Sequence, residues 1–95
     1  MPEEVRQAAD LRERRWVISV IWASLEGAAR FNEFRQAVEG VPARTLTERL
    51  RELERAGVLE RRVVPASPPY AEYRLTERGR RLAPVVQALR AWRAA

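Results

Sequence analysis

Arg44, Glu48, Arg51 and Arg55 share one side of the segment PARTLTERLRELERAG, which runs from Pro42 to Gly57. With Leu46 as origin and about 100° per residue, all four fall within roughly 30° of 170°. Ala43, Leu50 and Leu53 fall near roughly 60°, 40° and −20°, so with Leu46 they make an apolar stripe expected to be buried. Guanidinium groups presented in a row can fork onto phosphate or carboxylate oxygens, and Arg also matches the acceptor pair on a guanine edge. A plain solvated face competes with that reading. Arg44–Glu48 and Glu52–Arg55 have favourable helical spacing, each pair worth a few tenths of a kcal/mol, while Arg51 and Arg55 repel one another.

Other chemistries find little support. The chain has neither Cys nor His, which removes disulfides, thiol sensing, the commonest metal ligand and the usual general base near neutral pH. Asp10 is the lone Asp, the serines are Ser19, Ser24 and Ser67 with no base beside them, and no glycine-rich phosphate loop occurs. No enzymatic activity, metal or cofactor is expected. A length of 95 residues with 46% hydrophobic content suits one folded domain spanning 1–95. No apolar run approaches the ~18–20 residues of a membrane span, and no signal-peptide pattern opens the chain, so a soluble cytoplasmic protein is expected.

The formal charge of +5 and pI near 11.1 suit an acidic partner such as nucleic acid. Every one of the 18 basic residues is Arg. Codon usage is the simpler origin of that bias, although Arg is also the better fork for phosphate. The excess charge sits late: residues 65–95 carry six arginines against two acids, whereas residues 31–64 carry seven against six. The Pro42–Gly57 segment is therefore no simple basic patch.

These side chains need elements to hold them. Residues 3–13 read as a polar helix with Val5, Ala8 and Leu11 on one side. Arg14 to Leu25 follows, with Val17, Ile18, Ile21, Trp22 and Leu25 at helical spacing. FNEFRQAVEG reads as a short helix capped by Asn32, with Phe34, Ala37 and Val38 inward and Gly40 ending it. A brief turn leads into the helix that Gly57 stops. Two helices joined in that way form the helix-turn-helix pattern, here over 31–56. VLERRVV and YAEYRL then alternate as strands around the proline-rich tip PASPP, predicting a hairpin over 58–75. Thr76 caps a last helix running to about Arg93, with Leu82, Val85, Val86, Leu89 and Trp92 on its apolar side and a kink or break at Pro84. The fold expected is mainly α with a small β-hairpin, a winged helix-turn-helix.

RFNEF, LTERLRELERAGVLER and PP..EY.LTE.GR, in that order, resemble the HxlR-type family of winged helix-turn-helix transcription regulators. The likeness covers about Trp16 to Trp92. It implies a homodimer, formed through the N-terminal arm (1–13) and C-terminal helix (76–93), that binds pseudo-palindromic promoter DNA. By position, Arg44, Thr45, Thr47 and Glu48 fall where such a helix meets base edges of double-stranded DNA, and Arg49 and Arg51 where it meets backbone. Arg30 to Asn32 would lie against a phosphate. The family's arginine after PP is Tyr70 here, so Arg61, Arg62 or Arg74 would supply wing contacts. The family's usual Ser is Pro42, and the Cys of its oxidant-sensing members is absent. Trp16, Leu82, Val86, Leu89 and Trp92 are the candidates for the dimer contact.

Each of these assignments has an alternative. Trp16, Trp22 and Trp92 are most simply core, and a ligand pocket lined by them is a third reading; no particular effector is implied. Tyr70 and Tyr73 pack in the hairpin or stack on bases. Neighbouring strand residues face opposite ways, so at most one of Arg61 and Arg62 aims at DNA. The small net charge of the 43–56 helix also keeps open a different class of function, a winged helix that serves as a protein-interaction or assembly module.

Overall fold

Leu46, Leu50 and Leu53 are sealed from solvent and join Val17, Val20, Ile21, Phe34, Val58 and Leu59 in one core. Burying each such side chain is worth about 1.5–3 kcal/mol, so the stripe sets how its helix is rotated. The computed structural model describes residues 1–12 and 14–94. In chain order the elements are α1 (Glu3–Arg12), α2 (Val17–Leu25), α3 (Phe31–Ala37), α4 (Ala43–Arg55), β1 (Leu59–Val64), β2 (Tyr70–Leu75), α5 (Glu77–Arg80) and α6 (Ala83–Ala94). Helices α2, α3 and α4 pack around the core, and α6 lies along α2. Glu13 and the Leu11 side chain, both within the expected N-terminal arm, lie outside what is described. Val5 is exposed.

Several local expectations are corrected. The second helix begins at Val17 rather than Arg14, because Trp16 has φ 78 and a left-handed residue cannot continue a right-handed helix. Asn32 is not a cap: it is the second residue of α3, exposed, and Arg30 occupies the N-cap position. Ala43 is exposed because it opens α4, with no preceding turn to cover it. Ala37 is exposed at the end of α3.

Helix α4 closes in a Schellman arrangement. The Val58 N–H donates to the Leu53 carbonyl (2.9 Å) and the Gly57 N–H to the Glu54 carbonyl (3.0 Å), with Gly57 at φ 75. The chain then enters the hairpin, whose register pairs Leu59 with Leu75, Glu60 with Arg74, Arg62 with Glu72 and Val64 with Tyr70. Thr76 ties the return strand to the end of α4. Its hydroxyl donates to the Gly57 carbonyl (2.5 Å) and accepts from the Gly79 N–H (3.0 Å).

The expected last helix is broken, as Pro84 requires. A turn at Arg81–Leu82 separates α5 from α6, leaving Pro84 in the first turn of α6, where a missing N–H costs no helical bond. Gly79 sits where α5 meets the chain beside α4, and a Cβ there would collide with the Val58 carbonyl oxygen. Gly79→Ala should therefore lower unfolding stability by ~1–3 kcal/mol in a urea titration with an unchanged m-value.

Candidate nucleic-acid interface

The buried leucine stripe turns the opposite side of α4 outward. Arg44, Glu48, Arg51 and Arg55 are all exposed, and the Arg44 side chain is 93% accessible. Its guanidinium lies 3.4 Å from Glu48, a surface pair too weak to withhold it from another acceptor. Thr45 and Thr47 are half-buried on the flank, and the Thr47 hydroxyl donates to the Ala43 carbonyl (3.1 Å). Base-edge candidates Arg44, Thr45, Thr47 and Glu48 thus occupy the first turns of one exposed helix.

Arg49 behaves differently. Only 14% of its side chain is accessible. Its Nε donates to the Arg15 carbonyl (2.9 Å) and its Nη1 to Glu52 Oε1 (2.9 Å), an oxygen that also accepts from Arg14 (3.2 Å). Glu52 Oε2 is buried without a partner. The Arg49 guanidinium therefore fastens α4 to the chain preceding α2, and is spent inside the protein. Helical geometry carried a signal of this: Arg49 lies about 60° from Leu46, beside the apolar stripe rather than opposite it. What the sequence could not supply was the distant Arg15 carbonyl.

The start of α3 and the wing are joined. The Tyr73 N–H donates to the Ala29 carbonyl (2.8 Å). Glu33 Oε1 accepts from the backbone N–H groups of Ala29 (3.0 Å) and Arg30 (2.8 Å), reaching back from the first turn of α3 to the chain just ahead of it. Arg30 has no acceptor in its side chain and returns no bond. Those two amide bonds, with the Arg30 and Arg74 charges, hold the Glu33 carboxyl below its ordinary pKa. The Arg30 guanidinium lies 3.8 Å from the centre of the Tyr70 ring.

The hairpin register puts Glu60, Arg62, Glu72 and Arg74 on one face and Arg61 with Tyr73 on the other. Arg62 and Arg74 are exposed, but each has a carboxylate nearby, Glu60 at 3.6 Å and Glu72 at 3.2 Å. That face is close to neutral. Away from it, α2 and α6 border a cleft of about 480 Å³ lined by Ile18, Trp22, Val86, Leu89, Arg90 and Arg93. Within the dimer-contact candidates, Val86 is buried and Trp16 and Leu82 pack partly against the core, whereas Leu89 is exposed and Trp92 is 77% accessible. Among the described residues no group of His, Cys, Asp or Glu could hold a metal, and no helix is long and apolar enough to cross a membrane.

An exposed second helix on a packed helical support, followed by a two-stranded hairpin, defines a winged helix-turn-helix protein. The chain belongs to the HxlR-like helix-turn-helix family, whose defining pattern matches residues 11–95. It is 40% identical to the HTH-type transcriptional regulator YvaP of Bacillus subtilis over 86 residues, 90% of this chain and 80% of that protein. It is 35% identical to the HTH-type transcriptional regulator YodB of Bacillus subtilis over 92 residues, 97% of this chain and 82% of that protein. The reduced form of YodB superposes with a TM-score of 0.85, covering 97% of this chain and 90% of that one at 35% identity. The reduced form of the redox regulator HypR does so with a TM-score of 0.85, covering 95% and 89% at 38% identity.

Two measurements check these placements. Because the folded Glu33 pKa is lowered, its cap contributes stability above the ordinary carboxylate range and loses it as pH falls through the folded value. Glu33→Gln should lower the Tm at neutral pH, and the gap to the parent should close on acidification. Arg49→Ala should cost ~1.5–3 kcal/mol of stability, the range for hydrogen bonds to charged groups, while leaving the salt slope of any duplex binding unchanged.

Proposed function

We propose that this protein is a sequence-specific DNA-binding transcription regulator that acts as a homodimer on pseudo-palindromic promoter DNA. The observation that carries the reading is the exposed first half of α4: the Arg44 side chain is almost fully accessible, held only by a surface pair with Glu48, while Leu46, Leu50 and Leu53 on the other side are buried. A helix anchored in this way can enter a major groove without giving up its own packing. Arg44, Thr45, Thr47, Glu48 and Arg51 form the reading surface, with Arg44 forked onto a guanine. Arg30, Asn32, Arg62 and Arg74 face the backbone, and Arg49 is left out because it holds α4 in place. Leu89 and Trp92, together with the cleft beside α2, supply apolar surface for a second copy.

Two-fold symmetry then places two half-sites one helical turn apart or a multiple of it, roughly 34–36 Å per turn. The alternative, a protein-interaction module, draws on the pairing of Arg44, Arg62 and Arg74 with carboxylates. Selection of bound sequences from random duplex separates the two. A regulator returns a palindrome and binds random DNA weakly with a steep salt dependence, whereas an interaction module returns no sequence and little binding at low salt. On the selected site Arg44→Ala should cost ~1–3 kcal/mol. An equal loss on random duplex would make Arg44 a phosphate contact instead.

A further inference from the structure

Arg30 is held in place without being neutralised. Its Cζ lies over the Tyr70 ring at 3.8 Å from the centroid, a cation–π contact that consumes none of the guanidinium's N–H donors in a hydrogen bond to the ring's hydroxyl or to a carboxylate. Among the described residues no carboxylate lies within ion-pairing distance of it, and its side chain donates no hydrogen bond. Glu33, the acid nearest in sequence, directs Oε1 at the backbone N–H groups of Ala29 and Arg30. Arg62 and Arg74, in contrast, each have a glutamate beside them.

The platform beneath Arg30 is tied to the chain that carries Arg30. Tyr70 opens β2 opposite Val64, on the same hairpin face as Arg62 and Arg74. Three residues on, the Tyr73 N–H bonds the Ala29 carbonyl, so the strand carrying the ring is fastened to the residue preceding Arg30. An exposed arginine normally gives up rotamer freedom when it grips an anion; one already stacked gives up less.

We infer that Tyr70 is a positioning residue, which presents Arg30 as the phosphate clamp at the junction of the wing and the helix-turn-helix. The inference rests on the DNA-binding reading and adds to it a role for Tyr70 that needs no base stacking. Tyr70 acts through Arg30, so its effect on binding vanishes once Arg30 is gone.

The test uses the full chain and a random-sequence duplex, with Tyr70→Leu, Tyr70→Phe, Arg30→Ala and the Arg30→Ala/Tyr70→Leu double variant. Arg30→Ala should reduce the slope of log K against log[salt] by about 0.9, one phosphate contact. Tyr70→Leu should weaken binding about two- to fivefold, Tyr70→Phe should bind like the parent, and the double variant should match Arg30→Ala alone. In the free protein, NMR should show the Arg30 side-chain protons shifted by the aromatic ring current in the parent and Tyr70→Phe but not in Tyr70→Leu. Equal losses from Tyr70→Leu with and without Arg30, or a Tyr70→Phe defect as large as that of Tyr70→Leu, would overturn the inference while leaving DNA binding intact. A parent chain that fails to bind duplex at low salt removes both readings.

Discussion

Burial of Leu46, Leu50 and Leu53 is the constraint on which the rest of this structure depends. Exposing even one of these leucines would forfeit about 1.5–3 kcal/mol, a large share of a small domain's stability. The rotation of α4 about its axis is therefore settled by apolar packing. The outward direction of Arg44, Glu48 and Arg51 follows from it, with no need for those residues to stabilise anything. Weak surface pairing such as Arg44–Glu48 is compatible with function because the fold does not rely on it.

A second tier of contacts fixes where α4 ends and how the wing leaves it. The Schellman closure at Gly57, the Thr76 hydroxyl on the Gly57 carbonyl and the Gly79 approach to Val58 converge on one short stretch of chain. On the other side, Tyr73 to Ala29 and Glu33 to Ala29 and Arg30 join the hairpin to α3. Helix α4 and the wing are thus both referred to the same core. The arginines divide accordingly: Arg49 works inside the protein, Arg44, Arg62 and Arg74 lie on the surface beside glutamates, and Arg30 stacks on Tyr70.

Much of the architecture was legible in the sequence, for reasons that can be located. The period of Leu46, Leu50 and Leu53, the stop at Gly57, the proline-rich tip between the two strand segments and the cap at Thr76 are all local features, whereas α3 ends at Ala37, short of the Gly40 expected to stop it. Pro84 announced a break in the last helix, and the break is there. The misjudged positions lie at element ends. Asn32 has the residue type of a cap, but the backbone is already helical at Phe31, so the cap position falls on Arg30. Trp16 read as mid-helix until its left-handed backbone moved the start of α2 to Val17.

What the sequence determined by itself is the set of elements, their order and the two faces of α4, because these follow from interactions between residues a few positions apart. Which partner each arginine meets was decided only by the tertiary structure. Arg49 and Arg51 are two residues apart and chemically identical, yet one meets the Arg15 carbonyl across the fold and the other meets water. Arg30 and Tyr70 are forty residues apart in the chain, and only the hairpin's return past α3 brings a ring beneath that guanidinium. Contacts of this kind arise from packing between distant segments, and no local periodicity encodes them.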